Sequence, residues 1–126
     1  MNTILWVGQV FLAVLALYSG FCKSLFSEEK LVHQMKQTGV EGLPQPLIRF
    51  IGICQLLAAT GFILPVAFNV LPILTPVAAF LFGIDTTMAA GVHIQRKEYK
   101  TAISILLIAL LGFFIAAGRF HYLNII

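Results

Sequence analysis

A chain of 126 residues, 60% of them hydrophobic and only 10% charged, carries too much apolar surface to hide in one small water-soluble core. Its mean hydropathy of +0.96 points to lipid as the solvent for the excess, and its length allows a single domain. The net charge of +3 does not signal a nucleic-acid binder, because the basic residues cluster beside apolar runs and form no stripe of their own.

The first apolar run, MNTILWVGQVFLAVLALYSG, lacks the basic start of a secretory leader and is too long for a leader's apolar region. It reads as a retained helix over about residues 3–22, ended by Lys23. The next stretch, FSEEKLVHQMKQTGV, predicts a short helix over about 28–38. Ser27 is its cap, Glu28 and Glu29 suit the first turn, and Phe26 and Leu31 have the spacing of a hydrophobic staple. Gly39 can end it, with Val40 touching Met35. Leu31, Val32 and Met35 form a partial apolar face, which predicts a helix lying on the membrane surface with His33 solvated.

The second span runs over about 46–64, because proline suits the first helical position at Pro46 and blocks continuation at Pro65. The uncharged PVAFNVLPILT then makes a hairpin connection. The third span covers about 76–95, with Thr75 as N-cap and Pro76 at the first helical position. The fourth covers about 101–118. Each span is close to the ~20 residues that cross ~30 Å of hydrocarbon, and only helices satisfy a lone segment's backbone there. The expected fold is all-α: a transmembrane four-helix bundle with an amphipathic surface helix, residues 1–126 forming one membrane domain.

Lys23, Lys30, Lys36, Arg49, Arg96, Lys97 and Lys100 fall on one side of this topology and only Arg119 on the other. That bias places the polar loops in the cytoplasm and both termini outside. The two cysteines, Cys22 and Cys54, make no C-x-x-C pair and lie at different depths, so both are expected to be free thiols. No zinc spacing, nucleotide loop or Ser/His/Asp set is readable, and no metal site is expected.

Asp85 is the residue that such a segment should not contain. A charged Asp at mid-membrane costs about 2.5–3.5 kcal/mol, so it must face the bundle interior and find a partner. It is tenth from Pro76, and Gln55 is tenth from Pro46 on an antiparallel neighbour, so the two share a depth. Arg49 and His93 lie toward the cytoplasmic end, and Lys23 ends the first span on that side. Lys23, Arg49, Gln55, Asp85 and His93 are therefore the candidate ligand-binding set, lining a polar cavity open to the inner leaflet. The plainer reading is that Asp85 and Gln55 hydrogen-bond two helices together, worth only about 0.6 kcal/mol on average. Ala13, Ala16, Gly20, Gly52, Ala59, Ala89, Ala90, Gly112 and Ala116 are expected to pack helices closely.

The order of these features resembles the DoxX-like family of small four-span membrane proteins. The first span ends YSGFCKSL, the second reads RFIGICQLLAATGFILP, the third starts LTPVAA and ends with His93 before basic residues, and the fourth ends AAGRF. The resemblance covers nearly the whole chain. It departs from the family at Gln55, where Glu is frequent, and Asp85 is not a recognised family feature. The acid is either relocated across the helix pair or lost with the site's chemistry. The resemblance implies association with membrane redox systems, including quinone-linked ones, as an accessory subunit rather than a self-contained catalyst.

Three functions compete at this level. The first is a redox-linked membrane subunit whose cavity holds a quinone-like or other amphipathic ligand, with a membrane or redox partner protein supplying electrons. The second is a membrane chaperone or assembly factor that binds other helices. The third, a solute or proton carrier, is weakest for a monomer, since four spans show no inverted repeat. The lipid bilayer is a partner under each, nucleic acid under none, and a homo-oligomer is compatible with all.

Overall fold

The computed structural model describes residues 2–33 and 42–122. Among them the chain forms α1 (Asn2–Leu25), α2 (Glu28–His33), α3 (Gln45–Ala67), α4 (Leu74–Gln95) and α5 (Tyr99–Tyr122). Helices α1, α3, α4 and α5 are long and apolar enough to cross a membrane. They run alternately up and down. One end of the bundle carries the start of α1, the end of α5 and the α3–α4 connection, the terminal end. The other carries α2 and the α4–α5 turn, the loop end.

Apolar residues surround each long helix, which is why their outward faces stay exposed. Val7, Phe50, Leu57, Leu81, Leu107 and Leu110 all point away from the core. The inward faces carry Leu5, Leu12, Ala16, Phe62, Ala79 and Ile115. Phe62 and Phe82 meet edge to face at 5.4 Å across the α3–α4 interface. The α1–α3 and α4–α5 seams are the closest, and α3–α4 is looser. Glycine explains the tight pair. A Cβ on Gly20 would come 2.7 Å from the Gly52 carbonyl oxygen, and one on Gly52 would come 2.7 Å from the Ser24 nitrogen. Across α4–α5, a Cβ on Gly112 would meet the Ala79 carbonyl at 3.1 Å. Backbones approach this closely only where side chains are absent.

Helix α3 does not stop before Pro65. Proline removes the hydrogen bond that would end on the Gly61 carbonyl, and the Thr75 hydroxyl supplies it instead at 2.7 Å. The helix therefore continues to Ala67. The same hydroxyl is then not available as a cap: α4 starts one residue earlier than Thr75, at Leu74, with no side-chain capping bond. The expected stop at Pro65 and the expected Thr75 cap are both replaced by one inter-helix tie.

Both C-termini that meet turns close the same way. Val70 N–H donates to Pro65 O at 3.0 Å past Asn69 (φ 53°), and Glu98 N–H donates to His93 O at 2.9 Å past Lys97 (φ 62°). Each is a left-handed residue completing a six-to-one helix stop. Ser27 caps α2, its Oγ accepting from Lys30 N–H at 3.2 Å. Leu31 is fully buried against Cys22 and Ile48, with Phe26 alongside. The apolar side of α2 thus turns onto the loop end of the bundle and not only toward lipid. Residues 34–38 of the predicted helix, with Gly39, Val40 and the Met35 contact, lie outside the described residues. Cys22 is buried, Cys54 is exposed, and both are free thiols.

Candidate functional site

Gly20 and Gly52 draw α1 and α3 together, and this places Ser19 and Lys23, one turn apart on α1, against Gln55 on α3. Lys23 Nζ donates to Ser19 Oγ at 2.7 Å and reaches Gln55 Oε1 at 3.5 Å. Ser19 Oγ donates to Gln55 Oε1 at 2.7 Å. On its other side Gln55 Nε2 donates to Asp85 Oδ2 at 3.0 Å. One amide thus accepts from the α1 donors and donates to the α4 carboxylate. A glutamate at position 55 would put two carboxylates within hydrogen-bond reach, and they could not both ionise. Gln55 and Asp85 are consistent with one another: the amide accommodates the acid across the helix pair.

The looser α3–α4 interface opens beside this relay as a groove of about 630 Å³. It is lined by these two helices alone, with Leu57, Leu64, Leu74 and Leu81 on the terminal side of Gln55 and Asp85 and with Phe50, Ile51 and Cys54 on their loop side. Its wall residues are exposed on the bundle's outer face, so the groove faces sideways, toward where lipid would lie. Asp85 is half-buried and Gln55 buried, which leaves the carboxylate as the accessible polar group. Such a shape, apolar along its length with convergent polar groups at one place, suits an amphipathic molecule with a small hydrogen-bonding head.

The structure divides the sequence-predicted set. Lys23, Gln55 and Asp85 come together. Arg49 does not join them: its Nη1 donates to the Ser24 carbonyl, one of the orphan acceptors at the end of α1. His93 does not join them either. Its Nδ1 lies 2.9 Å from Glu98 Oε1, and Glu98 also bonds Arg96 Nε at 3.2 Å. Because the Glu98 N–H closes α4 on the His93 carbonyl, this pair belongs to the helix stop. Ser19 was missed, though its place four residues before Lys23 was a readable signal.

A second polar network, also missed, occupies the terminal end. Gln9 on α1 donates through Nε2 to the Phe62 carbonyl on α3 and accepts from Arg119 Nε on α5. Arg119 Nη1 donates to Asn2 Oδ1 at 2.8 Å. The Trp6 and Tyr122 rings flank the guanidinium, with centroids at 5.4 and 5.6 Å. Gln9 satisfies the same test of an intramembrane amide that singled out Gln55. Arg119 was masked by its position, which reads as an ordinary flanking charge.

The model of the DoxX-like family matches residues 7–117. No curated protein and no solved structure matches the chain.

Proposed function

The chain belongs to the DoxX-like family of multi-pass membrane proteins, and from that premise we propose that it is a redox-linked membrane subunit whose α3–α4 groove holds a quinone-like ligand. The observation that carries this reading is the joining of an apolar, laterally open groove to the Lys23–Ser19–Gln55–Asp85 relay. The apolar wall suits a lipid tail and the half-buried Asp85 suits the polar head. The role of Gln55 is to hold Asp85 in place. Lys23 and Ser19 in turn fix the Gln55 amide, so that its nitrogen faces the carboxylate. A quinone, when bound, takes up two electrons and two protons. This chain's part is to orient the head, exclude water along the groove and offer a protonatable group at Asp85. Electron delivery falls to a partner oxidoreductase. Basic residues concentrate at the loop end, which this reading places in the cytoplasm. Impermeant thiol labelling from outside should then reach a cysteine placed at Asn69 and miss one at Lys97.

The test is binding of a short-chain ubiquinone analogue to protein in nanodiscs. Wild type should saturate. Asp85→Asn should fold normally and bind at least about tenfold more weakly, the loss of one charge-assisted hydrogen bond. Leu81→Trp, filling the groove, should abolish binding. Equal binding by all three would refute the reading. A stoichiometric helical partner co-purifying in place of quinone would favour the chaperone reading instead, with the groove as its seat.

A further inference from the structure

Arg119 is 2% exposed, and no carboxylate among the described residues pairs with its charge. Its two bonded nitrogens, Nε and Nη1, are held by neutral amides, Gln9 and Asn2. Its third, Nη2, is buried with no hydrogen-bond partner among the described residues. The described carboxylates lie elsewhere: Asp85 is engaged by Gln55, Glu98 by His93 and Arg96, and Glu29 sits on α2 at the opposite end. A guanidinium cannot shed its proton to escape this burial, and a lone buried cation is costly. Flanking aromatic faces compensate in part. Two amides pinning the fork and an unused N–H pair beside them are what a preorganised oxyanion receptor requires.

Location narrows the ligand. Asn2 opens α1 and Arg119 lies in the last turn of α5, so the site is at the membrane–water boundary of the terminal end. Trp6 and Tyr122 are the amphipathic rings that settle at headgroup level. Nη2 itself is covered, and the exposed Tyr122 ring, stacked on the guanidinium in the terminal turn of α5, is the part of the cover that must swing aside for a group to reach it. We propose that Arg119, with Gln9, Asn2, Trp6 and Tyr122, binds one phosphate oxyanion at this boundary through Nη2. The phosphate comes from a phospholipid headgroup or is free in the water. The site is separate from the α3–α4 groove and does not depend on what that groove holds.

The test uses full-length protein in phosphate-free galactolipid–detergent micelles. Thermal stability is followed while phosphatidylglycerol is added in one arm, and inorganic phosphate in the other at constant ionic strength. Wild type should gain several degrees in Tm, saturably, in at least one arm; the first arm alone assigns a headgroup, and the second a free anion as well. Arg119→Gln should lose the gain in both arms while keeping or raising its starting Tm, because the lone charge is gone. Should Arg119→Gln fail to fold, Arg119→Lys is read instead: it keeps the charge but not the fork, and should raise the half-saturating concentration about tenfold. No saturable gain in wild type, or equal gains in wild type and the variant read, would overturn the site.

Discussion

Two polar networks cross this bundle, and they treat charge differently. Toward the loop end Lys23 and Asp85 stand at opposite ends of one hydrogen-bonded relay, so a cation and an anion balance within the protein. At the terminal end Arg119 is gripped by Gln9 and Asn2, neutral amides that orient it, with no counter-charge among the described residues. The first network is self-sufficient and borders a groove. The second, as described, holds a cation and no anion. Intramembrane polar residues are thus not one category: the sum of charge over each connected set says whether it needs a ligand to be stable or merely offers one a place.

Breaking the seam beneath the first network should have the largest effect. Gly52→Leu drives a side chain into the Ser24 backbone, so α1 and α3 must separate. A loss of more than about 3 kcal/mol is expected, seen as failure to purify as a monodisperse species. The Arg119 network ties α1 to α5 as well, so cysteine crosslinks between those helices should survive in any folded fraction. Next comes the charge balance itself. Asp85→Leu should destabilise by about 1–3 kcal/mol in reversible detergent unfolding, because it leaves the Gln55 amide donor without its acceptor and the Lys23 charge without the anion at the far end of the relay. Adding Lys23→Met should recover at least about 1 kcal/mol of that loss. Additive losses would mean that the two charges are not coupled, and the contrast with Arg119 would fail.

Thr75→Val is smaller and touches neither network. It strips the Gly61 carbonyl of its replacement donor and should cost about 1 kcal/mol, with loosening near the terminal end of the groove. Lys97→Gly is smallest and opposite in sign. It relieves a left-handed residue at the α4 stop and should stabilise by about 0.5–1 kcal/mol. Ligand binding in the groove should be unchanged, since the His93–Glu98 stop lies outside the relay.

The sequence disclosed depth better than direction. Four spans, and the level shared by Gln55 and Asp85, follow from counting residues along rods of fixed rise. Which way each residue points did not follow, because these helices are apolar nearly all round and nothing in the pattern fixes their rotation. Arg49 and His93 therefore read as members of the site, whereas one caps α1 and the other closes α4. Pro65 misled for a related reason. The rule that proline ends a helix assumes that the freed carbonyl stays unpaired, and the donor that rescues it belongs to another span. Gln9 and Arg119 are 110 positions apart, and only the closed four-helix arrangement makes them neighbours.

The sideways opening of the α3–α4 groove changes what affinity means for this protein. A molecule reaching it travels in two dimensions, and its effective concentration is its mole fraction among lipids, not its amount in the surrounding buffer. Every acyl chain in the same leaflet is then a competitor at near-molar abundance. Occupancy should fall as inert lipid is added at fixed ligand, a surface-dilution behaviour that a pocket opening to water would not display.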